Sequence, residues 1–404
     1  MNQITPHSRT IELALPREIN AETASDIQKE SVYVSPHLER ITVTEDLKTA
    51  VLSLRSDEDT DEVIDKAGRF LAAMCKHIAG FETRTIMASC RADEGPYETD
   101  VHAKLVERGW VHDYGKGQVA YSGPALRLAQ MVSEEASALY HNEFRFDDAH
   151  FPAFVDHDTL HKCGYIDSHP TAVSFVANMV EDFDALEAYR QANSCAEASV
   201  MPPVEHLHHG GMCLNPAACL PAYPMLSGKT IGPEGHTVSW LGRVFRYESR
   251  NVSGLDRLYE FNVREIVFVG TEDFVARQRE IAMPLVKELA ETFDLDVAIQ
   301  SATDPFFATV SAAKKFFQQA QDVKAEVMIN VLNPDGSHKQ IAGGSINLHG
   351  TFFGERFDIR SEDGEYVHTG CIGLGVERWV LAAFTQHGFE PSRWPAGIRR
   401  RVFV

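Results

Sequence analysis

Residues 241 to 270 of this 404-residue chain, LGRVFRYESRNVSGLDRLYEFNVREIVFVG, read as a long antiparallel hairpin: two strands joined by a polar loop containing Ser253 and Gly254. Side chains alternate along a strand, so Arg246 and Glu248 are expected to project together, and Phe261 and Glu265 to share one face of the returning strand. A guanidinium can clamp a phosphate, a carboxylate can accept from an exocyclic amine, and an aromatic face can stack on a purine. The set suits ATP, although a surface hairpin with an ordinary ion pair and a core phenylalanine fits the residue types about as well. Near the C-terminus, HTGCIGLGVERWVLAAF (368 to 384) runs from a glycine-punctuated strand directly into an amphipathic helix. Gly373 and Gly375 would admit close approach of a ligand to the backbone, and Arg378, in the first helical turn, would be a second phosphate clamp. Taken alone, such a strand-to-helix turn is more often purely structural.

The elements that position these residues divide the chain in two. A length of 404 residues suggests one large catalytic domain and a smaller companion. The runs IELALPREI (11 to 19), ERITVTE (39 to 45) and TAVLSLRS (49 to 56), followed by a helix from near Asp61 to Gly80, predict a small α/β unit. A strand, turn and helix follow over QVAYSGPALRLAQMVSEEASALYHNEF. The acidic, His-rich stretch after it places the boundary near residue 140, giving an accessory domain over 1–140 and a strand-rich catalytic domain over 141–404. Helices are expected over 273–293 and 311–325.

Composition, with 44% hydrophobic and 24% charged residues, is that of a soluble globular protein. No apolar run approaches the roughly 18 residues a membrane span needs, so no membrane partner is expected. The absence of a secretory pattern at the N-terminus and of a compact framework among seven scattered cysteines points to the cytoplasm. A net charge of −20 without a long basic cluster argues against a polyanionic partner such as tRNA.

Taken together, the segments resemble class II aminoacyl-tRNA synthetases: FRYE with GLDRLYEF is similar to their motif 2, and GLGVER to their motif 3. HKCGYIDSHPTAVSF (161 to 175) is similar to motif 1, which in that family starts a dimer-interface strand and so implies a homodimer. LNPAACLPAYP (214 to 224), EFNVREIVFVG (260 to 270), ATDPFF (302 to 307) and HTGCIGLGVER (368 to 378) resemble more closely the amino acid:[carrier protein] ligases, relatives of the zinc-dependent atypical seryl-tRNA synthetases. The resemblance implies an α+β fold, with an antiparallel sheet flanked by helices and a smaller N-terminal α/β domain.

Carried over residue by residue, the resemblance implies that Arg246 holds the α-phosphate, Glu248 the adenine amino group, Phe261 the adenine face, Arg378 the γ-phosphate, and that Arg257 contacts the triphosphate. Asp304 would lie near the amino acid, although a turn aspartate before Pro305 is an equally ready reading. It also groups Cys219, Glu265 and Cys371 as ligands of one Zn²⁺, which their distant positions would never reveal. Two thiolates and a carboxylate would leave a coordination position open for a free α-amine. Cys213, six residues before Cys219, is the competing ligand, while Cys75, Cys90, Cys163 and Cys195 read as small core residues. The implied activity is formation of an aminoacyl adenylate from a small amino acid (glycine, alanine or serine-like) and Mg²⁺-ATP, then transfer to a phosphopantetheinylated carrier protein. Lys314 and Lys315, on the helix expected there, could meet an acidic carrier, or simply line a solvated face. A seryl-tRNA synthetase-like activity is the alternative, kept open by the N-terminal domain.

Overall fold

The computed structural model describes residues 9–56, 59–76, 83–92, 95–194, 198–302 and 323–404. Asp304, Cys195, Lys314 and Lys315 lie outside the described residues, as does most of the helix expected over 311–325.

The frame is an eight-stranded sheet. In spatial order it runs Thr85–Ser89, Val297–Ser301, Lys324–Leu332, His338–Gly350, His368–Gly375, Glu260–Gly270, His236–Phe245 and Asp147–Asp148. Neighbours are antiparallel except at the last, two-residue strand, which pairs parallel with His236–Phe245. Alternation assigns the two faces. Ile266, Phe268 and Ile372 enter a large core with the helices Gly123–Glu143, Glu272–Thr292 and Val376–His387, whereas Val267, Val269 and Cys371 enter a second apolar cluster with Tyr223 and Phe353. The hairpin, the strand-to-helix turn at 368–384 and the helix over 273–293 fall where the hydrophobic periodicity puts them.

The N-terminal unit has its own core. Strands Thr10–Ala14, Thr49–Leu54 and Leu38–Val43 form an antiparallel sheet in that order, and the helices Ala21–Glu30 and Thr60–Met74 bury Ile27, Val63, Ala67 and Leu71 with it. The three strands follow the alternating runs in the sequence. Strand Thr85–Ser89 and helix Gly123–Glu143 pack instead into the large core, so residues up to 140 do not share one hydrophobic interior.

Helix Val376–His387 is fastened to the central hairpin by a buried carboxylate. Glu377, 3% exposed, accepts from the backbone N–H of Asn262 at 3.0 Å and from its side-chain amide at 2.8 Å. Burial nonetheless outweighs those hydrogen bonds and raises the Glu377 carboxyl from 4.5 to about 7. A folded-state value above the unfolded one means that stability is complete below pH 4.5 and is lost as pH rises toward 7, by at most about 3 kcal/mol. Glu377→Gln should abolish this loss, so the melting temperature of the wild type should fall relative to the variant between pH 4.5 and 7; parallel melting curves across that window would refute it.

Candidate active site

The cleft is built where the central strands meet the segment Asn215–Leu220. This segment is tied to the hairpin at two points: Phe245 N–H donates to the Asn215 carbonyl at 2.9 Å, and Arg246 Nε donates to the Pro216 carbonyl at 2.9 Å. Cys219 is thereby carried over the sheet face that Glu265 and Cys371 share. On neighbouring strands Cys371 stands opposite Val267 and Glu265 opposite Gly373. The glycine matters, because a Cβ at 373 would sit 2.6 Å from the Glu265 Oε2. Gly373 thus makes room for a protein carboxylate.

One ligand atom from each of Cys219, Glu265 and Cys371 lies within 4.8 Å of the others. Glu265 and Cys371 are each 4% exposed. Burial and the adjacent Cys371 push the Glu265 carboxyl well above its usual range; the Cys219 contact and burial push the Cys371 thiol up as well. Their charged forms are thus disfavoured without a cation, and a divalent metal is the species that would let two sulfurs and a carboxylate ionise together there. The donor set fits Zn²⁺. Cys213 is fully buried in the apolar cluster and is not among the converging three; Cys75 and Cys163 are likewise core residues, but Cys90 is exposed, contrary to its core reading.

Sequence reasoning missed the groups behind Cys371. Asn347 Nδ2 reaches its Sγ at 3.5 Å, and His349 Nε2 lies 3.8 Å from the same sulfur. The other ring nitrogen of His349 faces Thr369 Oγ1 at 3.2 Å and Tyr223 Oη at 3.4 Å. Ser345, Asn347 and His349 alternate with Ile346 and Leu348 along one strand, a polar stripe that period 2 would have exposed.

The nucleotide candidates line the same cleft. Arg246 sits with its guanidinium 5.5 Å from the centroid of Phe261, close enough to the ligand cluster to favour ionised Glu265. Arg378 donates to the carbonyls of Asp256 at 2.8 Å and Ala342 at 2.7 Å. Strand geometry does not set Glu248, because the strand ends at Phe245; the carboxylate is instead placed in the loop and paired with Arg257 at 3.0 Å. A separate cavity of about 780 Å³, lined in part by His141, Arg145, His236 and Arg277, shares none of these side chains.

Residues 205–387 match the tRNA synthetase class II core domain (G, H, P, S and T). The chain is 27% identical over 370 residues to the type-2 serine–tRNA ligase of Methanopyrus kandleri, covering 85% of this chain and 70% of that one. It spans 63% and 59% of the type-2 serine–tRNA ligases of Methanococcus aeolicus and Methanocaldococcus jannaschii. To amino acid–[acyl-carrier-protein] ligase 1 of Bradyrhizobium diazoefficiens it is 31% identical over 278 residues, covering 67% of this chain and 82% of that ligase. The fold superposes on the M. kandleri seryl-tRNA synthetase, solved in complex with A. aeolicus tRNASec, with a TM-score of 0.70 and 24% identity over 97% of this chain and 77% of that one. No helix among the described residues is long and apolar enough to cross a membrane. The chain therefore belongs to the class II aminoacyl-tRNA synthetase family, homologous both to the type-2 seryl-tRNA synthetases and to an amino acid–[acyl-carrier-protein] ligase.

Proposed function

We propose that this protein activates a small amino acid with Mg²⁺-ATP and passes it to the phosphopantetheine thiol of a carrier protein. The observation that carries the activation step is the convergence of Cys219, Glu265 and Cys371 beside Arg246. Those three residues would hold Zn²⁺, which when bound supplies a Lewis-acidic position for a neutral α-amine. Selection of a free amine, with Ala217 and Ala218 beside Cys219, suits glycine, alanine or serine.

The chain's own groups then do the positioning. Arg246 and Arg378 meet the triphosphate, joined by Arg257 once it leaves Glu248. Phe261 offers its face to adenine and Glu248 accepts from the adenine amine. Asp304 is assigned to the amino acid side. The substrate carboxylate, already ionised at neutral pH, attacks the α-phosphorus; the bond from that phosphorus to the bridging oxygen breaks, and pyrophosphate leaves with the electron pair. No protein base is required. In the second step the carrier's thiolate attacks the carbonyl carbon of the adenylate, and AMP departs as the thioester forms.

The acceptor rests on different support. A ligase for an acyl carrier protein is the 31% identical relative, and a net charge of −20 disfavours a polyanion. The match to type-2 serine–tRNA ligases over 85% of the chain favours a second reading, aminoacylation of tRNA. Both are decided by one assay series. Amino acid-dependent ATP/pyrophosphate exchange should appear with a small amino acid and fall by about 10²-fold or more in Arg246→Ala. Label should then move to a phosphopantetheinylated carrier and not to bulk tRNA. Charging of tRNA alone would refute the carrier reading, and no exchange with any amino acid would refute activation.

We also propose a homodimer through the sheet formed by Phe154–Asp156, Leu207–Leu214 and Phe175–Met179. Strand Phe175–Met179 is an edge, and Phe175, Phe183, Met201 and Val204 near it are 61%, 79%, 78% and 79% exposed. Light scattering should give twice the 45.0 kDa chain mass; a monomer at micromolar concentration would contradict it.

A further inference from the structure

The loop between the hairpin strands, residues 246–259, has few backbone bonds of its own: Arg246 with Tyr259, Asn251 with Glu248, Ser253 with Arg257, and Arg257 with Gly254. Its conformation is therefore set from outside. The distal half is held by the catalytic body. Arg378 binds the Asp256 carbonyl, Lys339 pairs with the Asp256 carboxylate, and Gly254 packs so closely on His102 that a Cβ there would come within 2.7 Å of the ring.

The proximal half, residues 247–251, is held largely by the N-terminal unit. Arg250 Nη2 donates to the carbonyls of Leu38 at 2.9 Å and Glu39 at 3.0 Å. Asn251 Nδ2 donates to the Lys29 carbonyl at 2.9 Å, and the Tyr33 hydroxyl donates to the Tyr247 carbonyl at 2.9 Å. From the body, the Ala172 carbonyl accepts from Tyr247 N–H at 3.2 Å. These contacts bracket Glu248. Beside it Ser249 has φ of 50°, a left-handed conformation that a non-glycine residue keeps only where its surroundings over-determine it. Glu30 completes the corner: burial and Asp26 push its half-buried carboxyl up to about 7, against the pull of Arg257 and with the further push of Glu248.

We propose that the N-terminal unit is part of the nucleotide site, its corner over Lys29–Glu39 acting as a positioning device that holds residues 247–251 so that Glu248 is presented to the adenine. The inference rests on the reading of this loop as the ATP loop. It gives the N-terminal unit a role in the first half-reaction, whatever the acceptor of the second. Any macromolecule that displaces this unit from the loop weakens ATP binding.

The test is kinetic. Tyr33→Phe removes one hydrogen bond, and Arg250→Ala with Asn251→Ala removes those to Lys29, Val32, Leu38 and Glu39, with expected increases in the KM for ATP of about 3-fold and about 10- to 30-fold in pyrophosphate exchange. The kcat should stay within about 2-fold and the KM for the amino acid should not change. Arg250→Lys, which keeps a donor, should recover part of the affinity. An unchanged KM for ATP in variants with wild-type melting temperatures, or a loss confined to kcat, would overturn the proposal. Should the double variant fail to fold, Tyr33→Phe decides alone, since it deletes a single exposed hydroxyl.

The same variants titrated calorimetrically with a non-hydrolysable ATP analogue separate this inference from the activation reading. A wild type that binds the analogue without exchanging any amino acid refutes activation, and weaker binding by the variants still upholds the positioning role. A wild type that binds no nucleotide overturns both.

Discussion

Two thiols and a carboxyl gathered in a nearly dry cleft are a constraint that the rest of the catalytic fold has to satisfy. Burial disfavours the charged forms of Glu265 and Cys371 there unless a cation compensates. The protein nonetheless arranges its backbone to bring them together. Pairing of the two central strands sets Cys371 opposite Val267 and leaves a glycine opposite Glu265. The Asn215–Leu220 segment is locked to the hairpin end so that Cys219 arrives over the same face. Polar groups on a third strand, Asn347 and His349, sit against the Cys371 sulfur from behind. Such partners orient a metal ligand and tune its basicity.

The same backbone ties join the proposed metal ligands to the proposed nucleotide residues. Arg246 spends its Nε on the Pro216 carbonyl, three residues from Cys219, and directs the rest of its guanidinium toward the Phe261 ring. A shift of the Cys219 segment therefore moves the arginine assigned to the α-phosphate. Arg378 is fixed by two carbonyls on separate elements. Glu248 and Arg257, by contrast, neutralise each other across 3.0 Å, and the roles proposed for them would require the pair to part. Arg246 and Arg378, each tied to backbone carbonyls, are thus held more firmly than the Glu248–Arg257 couple, whose partners are bound to each other.

How much of this was legible in the sequence depends on whether local periodicity or tertiary contact did the placing. The hairpin, the strand-to-helix turn at 368–384 and the three N-terminal strands follow from alternation and punctuation, which are local signals. The grouping of Cys219, Glu265 and Cys371 came only through resemblance, because gaps of 46 and 106 residues carry no metal-binding signature. Period 2 failed for Glu248, where the strand stops at Phe245, and gave no hint that the missing Cβ of Gly373 accommodates Glu265. Nothing in the local pattern of residues 29–39 announced a contact with a loop more than 200 residues away, since hydrogen bonds to backbone carbonyls leave no trace in residue type.

The central claim is that Cys219, Glu265 and Cys371 hold one metal ion between them. X-ray absorption at the zinc edge, on protein purified without added metal or chelator, addresses it most directly. The account predicts one zinc per chain with two sulfur neighbours near 2.3 Å and the remainder nitrogen or oxygen near 2.0 to 2.1 Å, with a sulfur lost in Cys371→Ser. Fully active protein without bound metal, or a zinc whose sulfur count is unchanged by Cys371→Ser, would contradict it.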